Sequence, residues 1–192
     1  MTVDQPTPDF SRDELYGNFW NLYHRQIDRW SDNLAVRTKN YRLTFRELNR
    51  RANGIAAALN EPGGKRSIGV GLLLTDAPDI APAFIGVMKA GHIVVYMDSA
   101  FPKSRLSYML VDASVGLIIT NNANYALAID LIEDENRIIN ISQPELPGVS
   151  ENPVINSNLD DVIQILFFPF APGYIAVIAI TPYHLFSLVW HM

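Results

Sequence analysis

The chain has 192 residues, 48% of them hydrophobic and 18% charged, with a formal net charge of -5. This is the composition of a folded globular chain, and its acidic balance gives no general electrostatic reason to bind nucleic acid or an anionic membrane surface. The absence of Cys removes disulfide frameworks, thiolate metal sites and thiol nucleophiles, and His24, His92, His184 and His191 have no metal-ligand spacing.

In chain order, residues 1–16 read as an N-terminal extension and 17–192 as one domain. Met1 to Phe10 carry Asp and Pro rather than a basic segment followed by an apolar run, so no secretory signal is expected and a cytoplasmic location fits. Phe19, Tyr23, Ile27 and Trp30 recur at helical spacing, which predicts an amphipathic helix over 17–30. Leu34 to Arg37 and Tyr41 to Leu43 read as a hairpin about Lys39 and Asn40. Thr44, Phe45, Arg46 and Glu47 form a T-x-x-E capping box, which opens a helix running to about Leu59. Its apolar side is Leu48, Ala52, Ile55, Ala56 and Leu59; Arg46, Arg50 and Arg51 form a solvated face.

EPGGK, Glu61 to Lys65, is a loop, and Ser67 to Leu74 is short and apolar enough for a buried strand. Asp76 can cap a helix through Met88, Lys89 and Ala90 that Gly91 stops, and His92 to Met97 is the next strand. A helix from about Pro102 to Val111, a strand from Val115 to Thr120, a helix over Tyr125 to Ile132 and a strand over Arg137 to Ile141 continue the alternation. This rhythm predicts an α/β fold: an open, largely parallel, doubly wound sheet with helices on both faces. Gln143 to Asn158 is a long surface connection, followed by strands over Val162 to Phe167 and Ile175 to Ile180 and a helix opened by Thr181 and Pro182.

All fifteen Lys and Arg residues lie at or before Arg137, and Val162 to Trp190 carries no charge. Pro169, Pro172, Gly173 and Pro182 interrupt that apolar stretch, which argues against a membrane span and for the buried strands of a parallel sheet.

Three segments in order carry a resemblance. DNLAVRTKNYRLTFRELNRRANGIAAAL spans Asp32 to Leu59, MKAGHIVVYMDSAFPKSRLSYMLVDASVGLIIT spans Met88 to Thr120, and ITPYHLFSLVWHM spans Ile180 to Met192. In the second, Asp98, Pro102, Arg105, Leu106, Tyr108, Met109 and Leu110 match a D-P-x-x-P-x-x-R-L-x-Y-M-L pattern that follows L-K-A-G. Together they resemble the N-terminal subdomain of the adenylate-forming, or AMP-binding, superfamily, most closely the adenylation domains of nonribosomal peptide synthetases.

The resemblance implies an incomplete adenylation-type subdomain in a family of ATP-dependent acid ligases that use ATP and Mg. Between its last two strands that family has a loop reading approximately T-S-G-[ST]-T-G-x-P-K-G, which cradles phosphates with small residues, hydroxyls, amides and a Lys. Here the segment is Phe168, Pro169, Phe170, Ala171, Pro172, Gly173, Tyr174, Ile175, Ala176 and Val177. Gly173 alone keeps a defining position, and Gly173 with Tyr174 is the remnant of a cofactor site; a Gly after Pro in a turn also has a plain turn reading.

Pro182 stands where the family has His in I-T-H, with His184 two positions on. The family's acyl-substrate pocket and lid are expected downstream of Met192, so the chain reads as truncated. The expectation is a pseudoenzyme with no catalytic residues, no metal site and no cofactor of its own. Its partners would be other synthetase domains or a second polypeptide, or further copies joined through an exposed apolar face. A split or larger ligase is the alternative. Phe167, Phe168, Phe170, Tyr174, Phe186 and Trp190 read as apolar core or an open face, Asp98 as a turn cap, Arg105 as part of an ion pair and His92 as a satisfied, partly buried residue.

Overall fold

The computed structural model describes residues 19–39, 41–59, 67–75, 77–142, 149, 151–155, 160–171, 174–182 and 184, with backbone alone at 77, 169–171, 174 and 175. The described fold opens with α1 (Phe19–Arg29), a two-stranded antiparallel hairpin of β1 (Leu34–Arg37) and β2 (Arg42–Thr44), and α2 (Phe45–Leu59). Then follow β3 (Gly69–Leu73), α3 (Ala77–Lys89), β4 (Ile93–Tyr96), α4 (Lys103–Asp112), β5 (Val115–Thr120), α5 (Tyr125–Ile132) and β6 (Ile138–Asn140). Two longer strands close the described fold, β7 (Gln164–Ala171) and β8 (Tyr174–Ile180).

The capping box forms as its residue types require. The Thr44 amide donates to Glu47 Oε2 at 2.8 Å, and the Glu47 amide donates to Thr44 Oγ1 at 3.2 Å. Two amides that lack partners within α2 are thereby satisfied. Gly91, which ends the helix before β4, has φ +75°, a left-handed value that costs Gly little. Asp76 lies outside the described residues.

The main sheet has six strands in the order β6-β5-β3-β4-β7-β8. Its first five strands run parallel, and β8 returns antiparallel to β7. The open, doubly wound α/β architecture expected from the alternation is therefore present. Successive strand residues point to opposite faces, so each buried strand feeds two cores. Val70, Leu72, Val94 and Ile119 pack with Trp20 of α1, Ile55 and Leu59 of α2, and Ala83 and Val87 of α3. Leu73, Val95 and Ile118 face the other way, onto Leu106 and Met109 of α4 and Ala128 of α5. Among the described residues no helix is long and apolar enough to cross a membrane.

Two strand readings need correction. The segments expected as Val162 to Phe167 and Ile175 to Ile180 are longer in the structure, and they form one antiparallel ladder that absorbs residues assigned to the loop between them. β7 pairs with β4 only through Val94↔Gln164 and Val95↔Ile165, whereas its ladder with β8 continues to Ala171↔Tyr174. Beyond that short root, β7 and β8 run on as a two-stranded ribbon.

The helices α2 and α3 meet closely at Gly86, where an added Cβ would stand 2.8 Å from Ile55 Cβ and 2.9 Å from the Ala52 carbonyl oxygen. Overpacking there costs about 1–3 kcal/mol, against the roughly 1 kcal/mol that Ala gains over Gly inside a helix. Gly86→Ala should therefore lower the urea midpoint; an unchanged or higher midpoint would show that the helices separate without cost.

Candidate functional site

The segment expected to have lost a phosphate loop lies on the ribbon. Phe168 pairs with Ala176 and Pro169 with Ile175, with a register shift between Pro169 and Ala171. Extended backbone of this kind does not form the concave run of amides that holds an anion. Gly173 and Pro172 lie outside the described residues, and Tyr174 is described only by its backbone at the start of β8. The expected remnant at Gly173 and Tyr174 thus falls where side-chain geometry is not described.

Where side chains are described, the ribbon is apolar: Phe168 is 47% exposed, and Val177 and Ile178 are each 46% exposed. Phe167 is half-buried, its ring edge-on to Tyr108 of α4 at 6.2 Å between centroids. Of the expected aromatic cluster, Phe186 and Trp190 lie outside the described residues, as does the side chain of Phe170.

Since α4 is the helix that touches β7, its cations matter most for any anion there. Lys103 is engaged with Asp130 at 2.7 Å. The expected ion pair of Arg105 is not found among the described residues. Its guanidinium instead lies 3.8 Å from the centroid of Phe101, and its Nε and Nη2 are buried without a hydrogen-bond partner among the described residues. An aromatic face one turn earlier on the chain replaces a carboxylate as the partner of this cation. Asp98 caps its turn as expected, its Oδ1 accepting from the Ala100 amide at 2.9 Å. His184, two positions after the family's His, serves the local helix start: its Nδ1 accepts from the Thr181 amide at 3.2 Å.

The strongest polar site in the described structure was not singled out in the sequence. Lys89, the last residue of α3, is 2% exposed. Its Nζ donates to Asn49 Oδ1 and Asn53 Oδ1, both at 2.6 Å, and to Asn152 Oδ1 at 3.1 Å, and it stands 5.1 Å from the centroid of Tyr23. Asn152 Oδ1 also accepts from Asn49 Nδ2 at 3.0 Å and Asn53 Nδ2 at 3.2 Å. All three ammonium protons meet oxygen, and none of these acceptors is a carboxylate. Burial lowers the Lys89 pKa to about 8. His24 is held below its ordinary value by its own burial and then by the nearby Lys89 charge.

A usable signal existed for this site. Asn49 and Asn53 are one helical turn apart among the apolar positions of α2, and a polar pair on a buried face requires a partner.

A second polar group lines the carboxyl ends of β3 and β5. Asn124 Nδ2 donates to Thr75 Oγ1 at 2.7 Å and to the Leu73 carbonyl at 3.3 Å, and Thr120 Oγ1 donates to the same carbonyl at 3.1 Å. At the amino ends of β3 and β4, a cleft of about 310 Å³ is bounded by Trp20, Met88, His92, Ile163 and Pro182. His92, expected to be satisfied, is so only in part: it is hydrogen-bonded to the Leu59 backbone while its Nδ1 is buried without a partner among the described residues, and burial lowers its pKa. No group of three or more potential metal ligands occurs among the described residues.

The sheet order, the helices on both faces and the ribbon at one sheet edge define a doubly wound α/β domain of the adenylation type. The AMP-binding enzyme family model matches residues 23–166, so the chain belongs to that family. It is 31% identical over 147 residues to gramicidin S synthase 2 of Brevibacillus brevis, covering 76% of this chain and 3% of that protein. Tyrocidine synthase 1 of Brevibacillus parabrevis is 30% identical over 138 residues, covering 66% of this chain and 13% of the relative.

Solved structures share the fold. The nonribosomal peptide synthetase FmoA3 with α-methyl-L-serine-AMP bound superposes with a TM-score of 0.77 at 22% identity, over 87% of this chain and 18% of that one. The N-terminal subdomain of Klebsiella oxytoca NpsA gives 0.68 at 18% identity, over 84% of this chain and 41% of its own. The chain thus spans a small part of the synthetases it matches.

The Lys89 site makes a prediction with a definite sign. Its folded-state pKa of about 8 lies below its ordinary 10.5, so between those values the unfolded chain binds the proton that the folded chain has released. Stability should rise with pH across that window, by at most about 1.4 kcal/mol per unit, and the gain is absent below pH 8. In urea titrations from pH 7 to 10.5, Lys89→Met should remove that rise; parallel profiles for the two chains would refute the assignment.

Proposed function

We propose that this chain supplies an adenylation-type scaffold with an apolar ribbon in place of a phosphate site, that it does not bind Mg–ATP on its own, and that it acts through protein contacts in a nonribosomal peptide synthetase-type system. The observation that carries this reading is the replacement at Phe168 to Val177. The family match ends at residue 166, and Phe168 to Val177, where the resemblance would place the phosphate loop, is made of aromatic, Pro and aliphatic residues about Gly173.

The groups present do not fit a triphosphate. Pro169 and Pro172 have no amide proton to donate, and no Lys or Arg follows Arg137. On α4, Lys103 is already paired and the Nε and Nη2 of Arg105 are buried. A charged hydrogen bond contributes about 1.5–3 kcal/mol, so the loss of several would weaken phosphate binding by many powers of ten.

Contact with other synthetase domains, a second polypeptide or another copy of the chain follows from the same ribbon. Exposed Phe168, Val177 and Ile178 lie on its strands, and β8 ends the sheet order with one edge unpaired among the described residues. Isothermal titration of the chain with Mg–ATP should give no binding in the micromolar range, and a micromolar dissociation constant would overturn the reading.

A second reading is favoured by the 3% coverage of gramicidin S synthase 2. In it, the chain contributes fold and surface to a split or larger ATP-dependent amino- or aryl-acid ligase whose remaining active site lies on another segment. Mixing the chain with candidate partner polypeptides and following ATP–pyrophosphate exchange separates the two. The first reading expects no exchange in any mixture, and the second expects exchange that depends on this chain.

A further inference from the structure

Residues 151–155 belong to the long connection between β6 and β7, and no backbone ladder holds them to the sheet among the described residues. Two side chains do the holding. Ile155 packs against the core between the sheet and α1, α2 and α3, and Asn152 reaches the Lys89 site. Between them, Val154 is 91% exposed.

Asn152 itself is exposed as a residue, yet its Oδ1 accepts from three donors: Lys89 Nζ, Asn49 Nδ2 and Asn53 Nδ2. The two α2 amides point at that oxygen because their own carbonyl oxygens are turned to the ammonium, at 2.6 Å each. The cation thus orients both Asn side chains, and the orientation creates the receptor for a third.

We propose that residues 151–155 form a strap latched onto α2 and α3 through the side-chain oxygen of Asn152, and that the Lys89 ammonium is the positioning group that builds the latch. The chemistry is specific. An ammonium offers three donors and no acceptor, so an amide that presents Oδ1 to it must present Nδ2 elsewhere. A thioether or alkyl chain at position 89 would leave Asn49 and Asn53 free to turn over, and the strap would lose a convergent set of donors. The strap also precedes β7 in the chain, and β7 registers with β4 at two positions only, Gln164↔Val94 and Ile165↔Val95. A latch at Asn152 therefore fixes the approach to a strand with a short root.

The chain has no Cys, so a pair of introduced cysteines can be spin-labelled without background. Val111→Cys on α4 and Val154→Cys on the strap are suitable, since the native residues are 81% and 91% exposed and neither belongs to the latch. Pulsed dipolar spectroscopy of the full chain should give a single narrow distance distribution. Adding Asn152→Ala, a change at an exposed residue that leaves both cores intact, should broaden it.

Lys89→Met should broaden the distribution as Asn152→Ala does, with no further broadening when the two are combined. An unchanged distribution in Asn152→Ala would overturn the strap, and a narrow one in folded Lys89→Met would overturn the role of the ammonium. If Lys89→Met does not fold, Lys89→Arg replaces it. A planar guanidinium does not reproduce the three-way donor geometry, so broadening is again the expected result and a narrow distribution counts against the proposal.

Discussion

A primary ammonium buried to 2% exposure is the constraint around which one half of the molecule is arranged. Taking such a charge out of water is costly unless every proton finds an acceptor, and here the acceptors are neutral amides supplied by two separate parts of the chain. Asn49 and Asn53 come from α2, and Asn152 comes from the connection before β7. The helix contact at Gly86, where α2 and α3 come close enough to exclude a methyl group, brings the α2 amides within reach of the last residue of α3. Close packing and polar satisfaction are therefore one requirement: a wider helix pair would leave the ammonium partly unpaired, and an apolar residue at 89 would leave amides unpaired. Burial of Tyr23 beside the amine, which raises its hydroxyl pKa, adds a ring face without adding a negative charge.

Much of the scaffold was legible from local chemistry. The T-x-x-E box placed the start of α2, and the periodic apolar residues placed its buried side, because capping and amphipathic spacing are decided within a few residues. β5 and α5 have the bounds read from sequence, since β-branched residues end where Asn121 to Asn124 begin and helix formers follow. The Lys89 site was not legible in the same way. Asn152 stands 103 residues from Asn49, and nothing local at a helix end says that its Lys turns inward. Arg105 was misread for a related reason: a cation's partner was assumed to be a carboxylate, whereas the ring of Phe101, four positions before it, lies closer to hand.

The ribbon shows the limit of reading a segment through its relatives. Laid against the family pattern, Phe168 to Val177 reads as a loop that has lost its donors. Its own residue types favour a strand: Phe, Ile and Val suit a pleated surface, and the two prolines fall near the end of β7 and beyond it. Pro169 can take part in the ladder as an acceptor, with the shift in register that follows it absorbing the missing amide. What propensity favours here is a longer hairpin, and the structure has one.

A phosphate loop and a β-ribbon make opposite demands on the same backbone. The loop needs amides turned together toward one point, which requires small residues and curvature, with a cation nearby to offset the charge they gather. The ribbon needs amides turned alternately to either side, which requires extended residues and leaves apolar side chains on both faces. Sequence changes that favour one therefore remove the other, and intermediate compositions serve neither. The described part of this segment follows the ribbon: its described side chains are apolar, it lies in a stretch without a single Lys or Arg, and the α4 cations beside its root are held by Asp130 and Phe101. The other four parallel strands, β6, β5, β3 and β4, and both helical layers do not depend on that choice, because β7 joins them through only two registered positions. That loose attachment is the physical reason the scaffold accommodates an apolar ribbon at its edge.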